Sequence, residues 1–106
     1  MLKISGVSII MSCYNAEKWL VDNIKSVLNQ DYKNFEFIIV NDGSIDSTSQ
    51  ILEKFSKQDH RIKVFNQKNI GLTKSLNFAI SQAKYDWIAR IDADDLCSRK
   101  RLSTQV

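Results

Sequence analysis

Asp92-Ala93-Asp94-Asp95 sets three carboxylates within four residues. Two unit charges about 4 Å apart repel by about 4 kcal/mol at an effective dielectric near ~20. A hard divalent cation removes that cost, because it takes oxygen ligands from one or two carboxylates and completes its shell with water or phosphate oxygens. Aspartate also favours turns and helix N-caps, so a solvated turn capping the next helix would use the same residues. The residues just upstream favour the cation: Trp87-Ile88-Ala89-Arg90-Ile91 has strand character. Acids that follow a buried parallel strand stand where open sheets bind their ligands.

A second polar cluster, Asn41-Asp42-Gly43-Ser44, ends the run Phe35-Glu36-Phe37-Ile38-Ile39-Val40. Asp-Gly is a common turn, yet this one also precedes a helix N-terminus at a strand's carboxyl end. A carboxylate exposed there would repel phosphate, so Asp42 is better suited to accept hydrogen bonds from a base or ribose. Tyr14, after the run Val7-Ser8-Ile9-Ile10-Met11, offers a flat ring for stacking and a hydroxyl.

These clusters need a scaffold that brings strand ends together, and the hydrophobic pattern supplies one. From Ala16 to Asn29 the apolar residues Leu20, Ile24, Val27 and Leu28 form a helical stripe, with Asn15 as its expected N-cap and Glu17 in its first turn. Asp46 is the expected cap of a second helix, with Thr48, Ile51, Leu52 and Phe55 facing inward. Ile62-Lys63-Val64-Phe65 reads as a short third strand. Leu72, Leu76, Ala79, Ile80 and Ala83 form a third helical stripe, and Trp87–Ile91 the fourth strand. Trp19 and Trp87 read as packing residues. Strand–helix–strand alternation with short connections predicts an α/β fold, a mostly parallel sheet of about four strands with helices on both faces.

The chain has 106 residues, 43% hydrophobic and 25% charged, the balance of a globular protein rather than a disordered or membrane-spanning one. Its net charge of +3 is too small and too evenly spread to imply a nucleic-acid partner. The dense basic run Arg99-Lys100-Arg101 is a solvated helix start or, in a functional reading, a contact for phosphate or an anionic membrane surface. Cys13 and Cys97 have no metal-ligand spacing and read as free thiols, Cys13 as apolar filler. His60 has no second ligand nearby. The start of the chain lacks a signal-peptide pattern, so the sequence reads as cytoplasmic, with peripheral association at the inner face of the membrane as an added expectation.

Taken in order, the segments Val7 to Asn15, Ile38 to Asp46, Asn69-Ile70-Gly71-Leu72, Ser75-Leu76-Asn77 and Ala89 to Asp95 resemble the front of a family 2 glycosyltransferase of the GT-A fold. The resemblance runs from Val7 to Gln105. It implies a strand order of 3-2-1-4 and a nucleotide diphosphate sugar donor, commonly UDP-linked, held with Mn2+ or Mg2+. By the same match Tyr14 and Asp42 would contact the base, Asp92 the ribose side, Asp94 the metal, and Asp95 the sugar or the metal's water shell. Transfer would be inverting, to a glycan or lipid-linked acceptor in surface polysaccharide synthesis.

One departure from the family pattern is Leu96-Cys97-Ser98-Arg99-Lys100-Arg101, where a proline often stands. Residues 101–106 read as the opening of a helix. Residues 1–106 are therefore expected to form the nucleotide-sugar-binding part of a longer domain, inactive alone, with the general base beyond Val106. An uncovered edge at the fourth strand would then invite self-association. Two rival readings are a non-catalytic nucleotide-binding domain and a metal-dependent phosphohydrolase. The phosphohydrolase is disfavoured because such enzymes carry their acids after the first strand.

Overall fold

Apolar runs rich in β-branched residues become strands here, and the amphipathic stretches between them become helices. In the computed structural model, which describes residues 6–93, strand β1 is Val7–Cys13, helix α1 Leu20–Leu28, β2 Phe35–Asp42, α2 Thr48–Gln58, β3 Ile62–Gln67, α3 Leu72–Ser81 and β4 Trp87–Arg90. Asp94, Asp95, Cys97, the run Arg99-Lys100-Arg101 and the expected helix opening at 101–106 lie outside the described residues.

The four strands form one sheet in the order β3-β2-β1-β4, all pairs parallel, as the resemblance implies. Register follows the pleat. Val7, Ile9, Met11 and Cys13 of β1 and Phe35, Phe37 and Ile39 of β2 point to one face, where Leu20, Ile24 and Val27 of α1 and Leu52 and Phe55 of α2 close the main core. Ile10, Ile38 and Val40 point to the other face and pack on Leu76 and Ala79 of α3. There the rings of Phe65 and Phe78 meet edge to face at 5.3 Å. α3 lies opposite α1 and α2 because the chain reverses direction across the sheet between β3 and β4. A right-handed crossover in the reverse direction must pass over the other face.

Local expectations change in several places. α1 starts at Leu20 rather than at Ala16, and Asn15 takes a left-handed φ of 50° instead of capping it. β3 runs on through Asn66 and Gln67, because these polar residues pair in register with Asn41 and Asp42. Of the five apolar positions read along α3, Leu72 and Ile80 are exposed, and Ser75 is buried with Leu76 and Ala79. Trp19 and Trp87 are not packing residues: they are 51% and 44% exposed, one in the turn before α1 and the other on the outermost described strand. No helix among the described residues is long and apolar enough to cross a membrane.

Candidate functional site

All four strands run the same way, so the segments that follow them gather at one rim. The direction of winding reverses between β1 and β4, which opens a crevice there between diverging loops. Tyr14, directly after β1, stands at that crevice with half its surface exposed. Asp92, two residues after β4, lies on the other side. Its carboxylate is 3.4 Å from Arg90 Nη2 and about half exposed. Its backbone carbonyl accepts a hydrogen bond from Asn23 Nδ2 at 3.1 Å. Asn23 is fully buried on α1, so a helix interior fixes the backbone at the start of the acid cluster.

The loops after β1 and β2 are laced together. Asn15 N–H donates to Ser44 Oγ at 2.9 Å, and Ile45 N–H returns a bond to Asn15 Oδ1 at 2.9 Å. Ala16 N–H donates to the buried Thr48 Oγ1 at 2.9 Å, and Ser47 N–H to Glu17 Oε2 at 3.1 Å. The N-cap of α2 is Ser47 rather than Asp46, but Asp46, one residue earlier, accepts from Thr48 N–H at 2.9 Å and so satisfies the first helical amide. Asparagine is among the few residues that take a left-handed φ readily, which explains its place at 15. The backbone beside Tyr14 is thus held from both sides.

Asp42 is buried, and its acceptors are turned inward. Ile70 N–H and Gly71 N–H donate to its two oxygens at 2.8 and 3.1 Å, and Gln67 Nε2 donates at 3.3 Å. Burial alone would push this carboxyl up. Bonds from Ile70, Gln67, Gly71 and the Ser75 hydroxyl outweigh it and hold the group below its ordinary 3.8. Asp42 therefore fixes the turn into α3, where the helix dipole also favours a negative charge. A phosphate has no access to those two amides. Gly71 makes the turn with φ 95° and ψ 161°, a combination open essentially to glycine.

Beside it, Asn41 Nδ2 donates to Ser49 Oγ and Asn66 Oδ1 at 2.8 and 2.9 Å, tying β2 to α2 and β3. Cys13 is buried, and its thiol is pushed up to about 12 by that burial and by Asp46 and Asp42 nearby. It stays protonated and serves as filler, not as a nucleophile.

At this rim the backbone approaches closely at Gly43, with φ 74°, where an added Cβ would come within 2.7 Å of the Asn69 backbone nitrogen. Gly43→Ala is expected to cost about 1–3 kcal/mol in a denaturant melt. It should also shift the amide resonances of residues 69–71. A melt within 0.5 kcal/mol of wild type would contradict this close approach.

Among the described residues, Tyr14 and Asp92 thus follow the neighbouring parallel strands β1 and β4, and Asp42 lies behind the turn at Ile70-Gly71. Asp94 and Asp95 continue from Asp92 outside the described residues. The sequence reading missed Asn23 and the Asn15–Ser44–Thr48 lacing. The signal for Asn23 was an amide next to the apolar stripe of α1, a position that needs a partner when buried.

The family model for glycosyl transferase family 2 matches residues 8–106. A putative glycosyltransferase of Bacillus subtilis, EpsE, is 44% identical over 102 residues, 94% of this chain and 37% of its own length. An uncharacterized glycosyltransferase of Rickettsia bellii is 40% identical over 105 residues, 99% of this chain and 15% of its own. Among solved structures, S. aureus TarS 1–349 in complex with UDP-GlcNAc superposes with a TM-score of 0.86 at 32% identity, over 93% of this chain and 29% of that one. The chain thus spans well under half the length of these relatives. With the family model matched over residues 8–106 and a fold that superposes on that of TarS, the chain belongs to glycosyl transferase family 2.

Proposed function

We propose that the chain is the donor-binding portion of a glycosyltransferase, taking a nucleotide diphosphate sugar, UDP-linked, together with Mn2+ or Mg2+. The observation that carries this reading is the sheet order: β1 and β4, which Tyr14 and Asp92 follow, are parallel neighbours at the point where the winding reverses. TarS, similar over most of this chain, is described with UDP-GlcNAc bound. Tyr14 would stack on the base, and the turn that Asp42 holds would wall the base side. Asp92 would reach the ribose. Asp94 would ligate the metal and Asp95 would stay near the sugar.

The donor set offered by the cluster is all carboxylate oxygen, which fits Mg2+ or Mn2+ and not a softer ion. When bound, such an ion supplies charge stabilisation for the departing diphosphate. The protein's part is to hold Asp92 in place, through Asn23, and to keep the base and ribose oriented. Inverting transfer to a glycan or lipid-linked acceptor in surface polysaccharide synthesis would draw its general base from the part of the longer relatives that follows.

Calorimetry with UDP tests this. Mn2+ is expected to tighten binding, and Asp94→Ala to remove the metal-dependent increment while sparing the weak binding seen without metal. Equal metal dependence in Asp94→Ala and wild type would sink the assignment.

A further inference from the structure

The rim opposite the crevice collects the segments that precede the strands, and their basic residues gather around one cavity. A cavity of about 550 Å³ opens there, lined by Lys33, Arg61, Lys63 and Lys84 with Glu36 and Tyr85 among its walls. That is within the roughly 300–1,000 Å³ of small-ligand pockets. Two carboxylates stand against the four cations: Glu36 pairs with Lys63 at 2.9 Å, and Asp59 with Arg61 at 2.8 Å. Among the lining residues and their ion-pair partners two positive charges are left over; Asp31 and Asp86, in the same segments, do not line the cavity.

Arg61, Lys63 and Lys84 are held rather than loose. Arg61 is bound by Asp59 through both Nε and Nη2, and its guanidinium lies 4.6 Å from the centre of the Phe35 ring. Lys84 has its backbone N–H fixed on Glu36 at 2.7 Å, and its ammonium sits 5.0 Å from the centre of the Tyr85 ring. Like charges drawn together at a cavity mouth repel one another in the free protein, and a bound anion relieves that repulsion. Pre-ordered donors also lose less freedom on binding. Glu36 does not oppose an anion strongly, because Ser8 Oγ, Lys84 N–H and Lys63 Nζ all donate to it.

We propose that this cavity binds a phosphorylated group carrying two or more negative charges, a free diphosphate or the phosphate headgroup of a lipid, independently of the crevice at the other rim. The test keeps divalent ions out with EDTA, so that the acid cluster does not contribute. The chain, isotopically labelled, is titrated with inorganic pyrophosphate at low ionic strength. In parallel it is floated with vesicles of phosphatidylcholine alone and with added phosphatidic acid, whose phosphomonoester headgroup can carry two charges.

Amide shifts confined to residues 33–36, 60–63 and 84–85 are expected in the first arm. The double variant Lys33→Gln/Lys84→Gln, at two exposed positions, should bind about tenfold more weakly and leave UDP–Mn2+ binding unchanged. Binding of pyrophosphate without vesicle flotation assigns the cavity to a free anion. Lysine-dependent flotation on the anionic vesicles assigns it to a headgroup. Absence of both, binding unchanged in the double variant, or shifts confined to the loops after the strands would each overturn the proposal.

Discussion

Asp42→Ala is expected to lower the free energy of unfolding by about 2–4 kcal/mol and to weaken UDP to the same degree with and without Mn2+. Removal of the carboxylate leaves the amides of Ile70 and Gly71 and the side chain of Gln67 without their acceptor. Ile70 is partly exposed and can recover a water, which keeps the cost below the sum of three separate losses. Asp42→Asn should recover part of the stability only, because its NH2 group would face an N–H donor.

The pH dependence has a definite sign. The folded carboxyl lies below its ordinary 3.8. Its stabilisation is therefore complete above that value and is lost as the pH falls through the folded one. Asp42→Ala should accordingly flatten the acid limb of the stability profile below about pH 4. Hydrogen exchange separates the two roles. If Asp42 works by holding the turn, exchange at Ile70 and Gly71 accelerates in the variant before any nucleotide is added. If those amides keep their wild-type protection while UDP binding falls, Asp42 acts on the base directly and not through the turn.

The sheet was legible because each strand is an apolar run and each helix repeats its apolar stripe every three to four residues. Periodicity places a helix's face but not its first turn, and there the reading of α1 failed. Ala16 to Trp19 look helical in isolation, yet Ala16 and Glu17 spend their amides on Thr48 and Asp46 across a loop about thirty residues away. Such tertiary partners override local propensity. Trp19 and Trp87 were misread for a related reason: bulk and apolarity do not say which way a side chain faces at a turn or on an outer strand. Tyr14 was legible as a rim residue. Asp42 was legible as important, but its burial and its hold on Ile70-Gly71 were not, since both depend on where β3 ends. Glu36 was passed over inside an apolar run. A lone carboxylate between two phenylalanines in a buried strand is itself a signal, because it can only be there with partners.

Those partners make Glu36→Ala the other large expected effect, about 3 kcal/mol of lost stability. The α3-facing stripe of β2 reads Glu36, Ile38, Val40, Asp42, an apolar middle with a carboxylate at each end. Asp42 holds the turn that enters α3, and Glu36 holds the turn that leaves it, accepting Lys84 N–H at 2.7 Å and Ser8 Oγ at 2.6 Å. Ser8 Oγ in turn accepts from Tyr85 N–H at 3.2 Å, so one carboxylate anchors the whole approach to β4. Breaking a fully buried ion pair by removing one partner costs about 3–5 kcal/mol. Lys63, 44% exposed, can turn to water, so the loss comes mainly from the hydroxyl and amide left behind. Burial would push the Glu36 carboxyl up, but Lys84 N–H, Ser8 and Lys63 together hold it below its ordinary 4.5. Its stabilisation is present above that value and fades as the pH drops through the folded one. Urea melts from pH 7 down to about pH 3 should therefore show wild type and Glu36→Ala converging in acid. Lys63→Met is expected to move the wild-type acid limb upward in pH, since the carboxylate stays buried without its cation. A gap between wild type and Glu36→Ala that is constant across this range would mean that the carboxyl has the same pKa folded and unfolded, so that its charge contributes nothing. The clamp on α3 would then be one of shape alone.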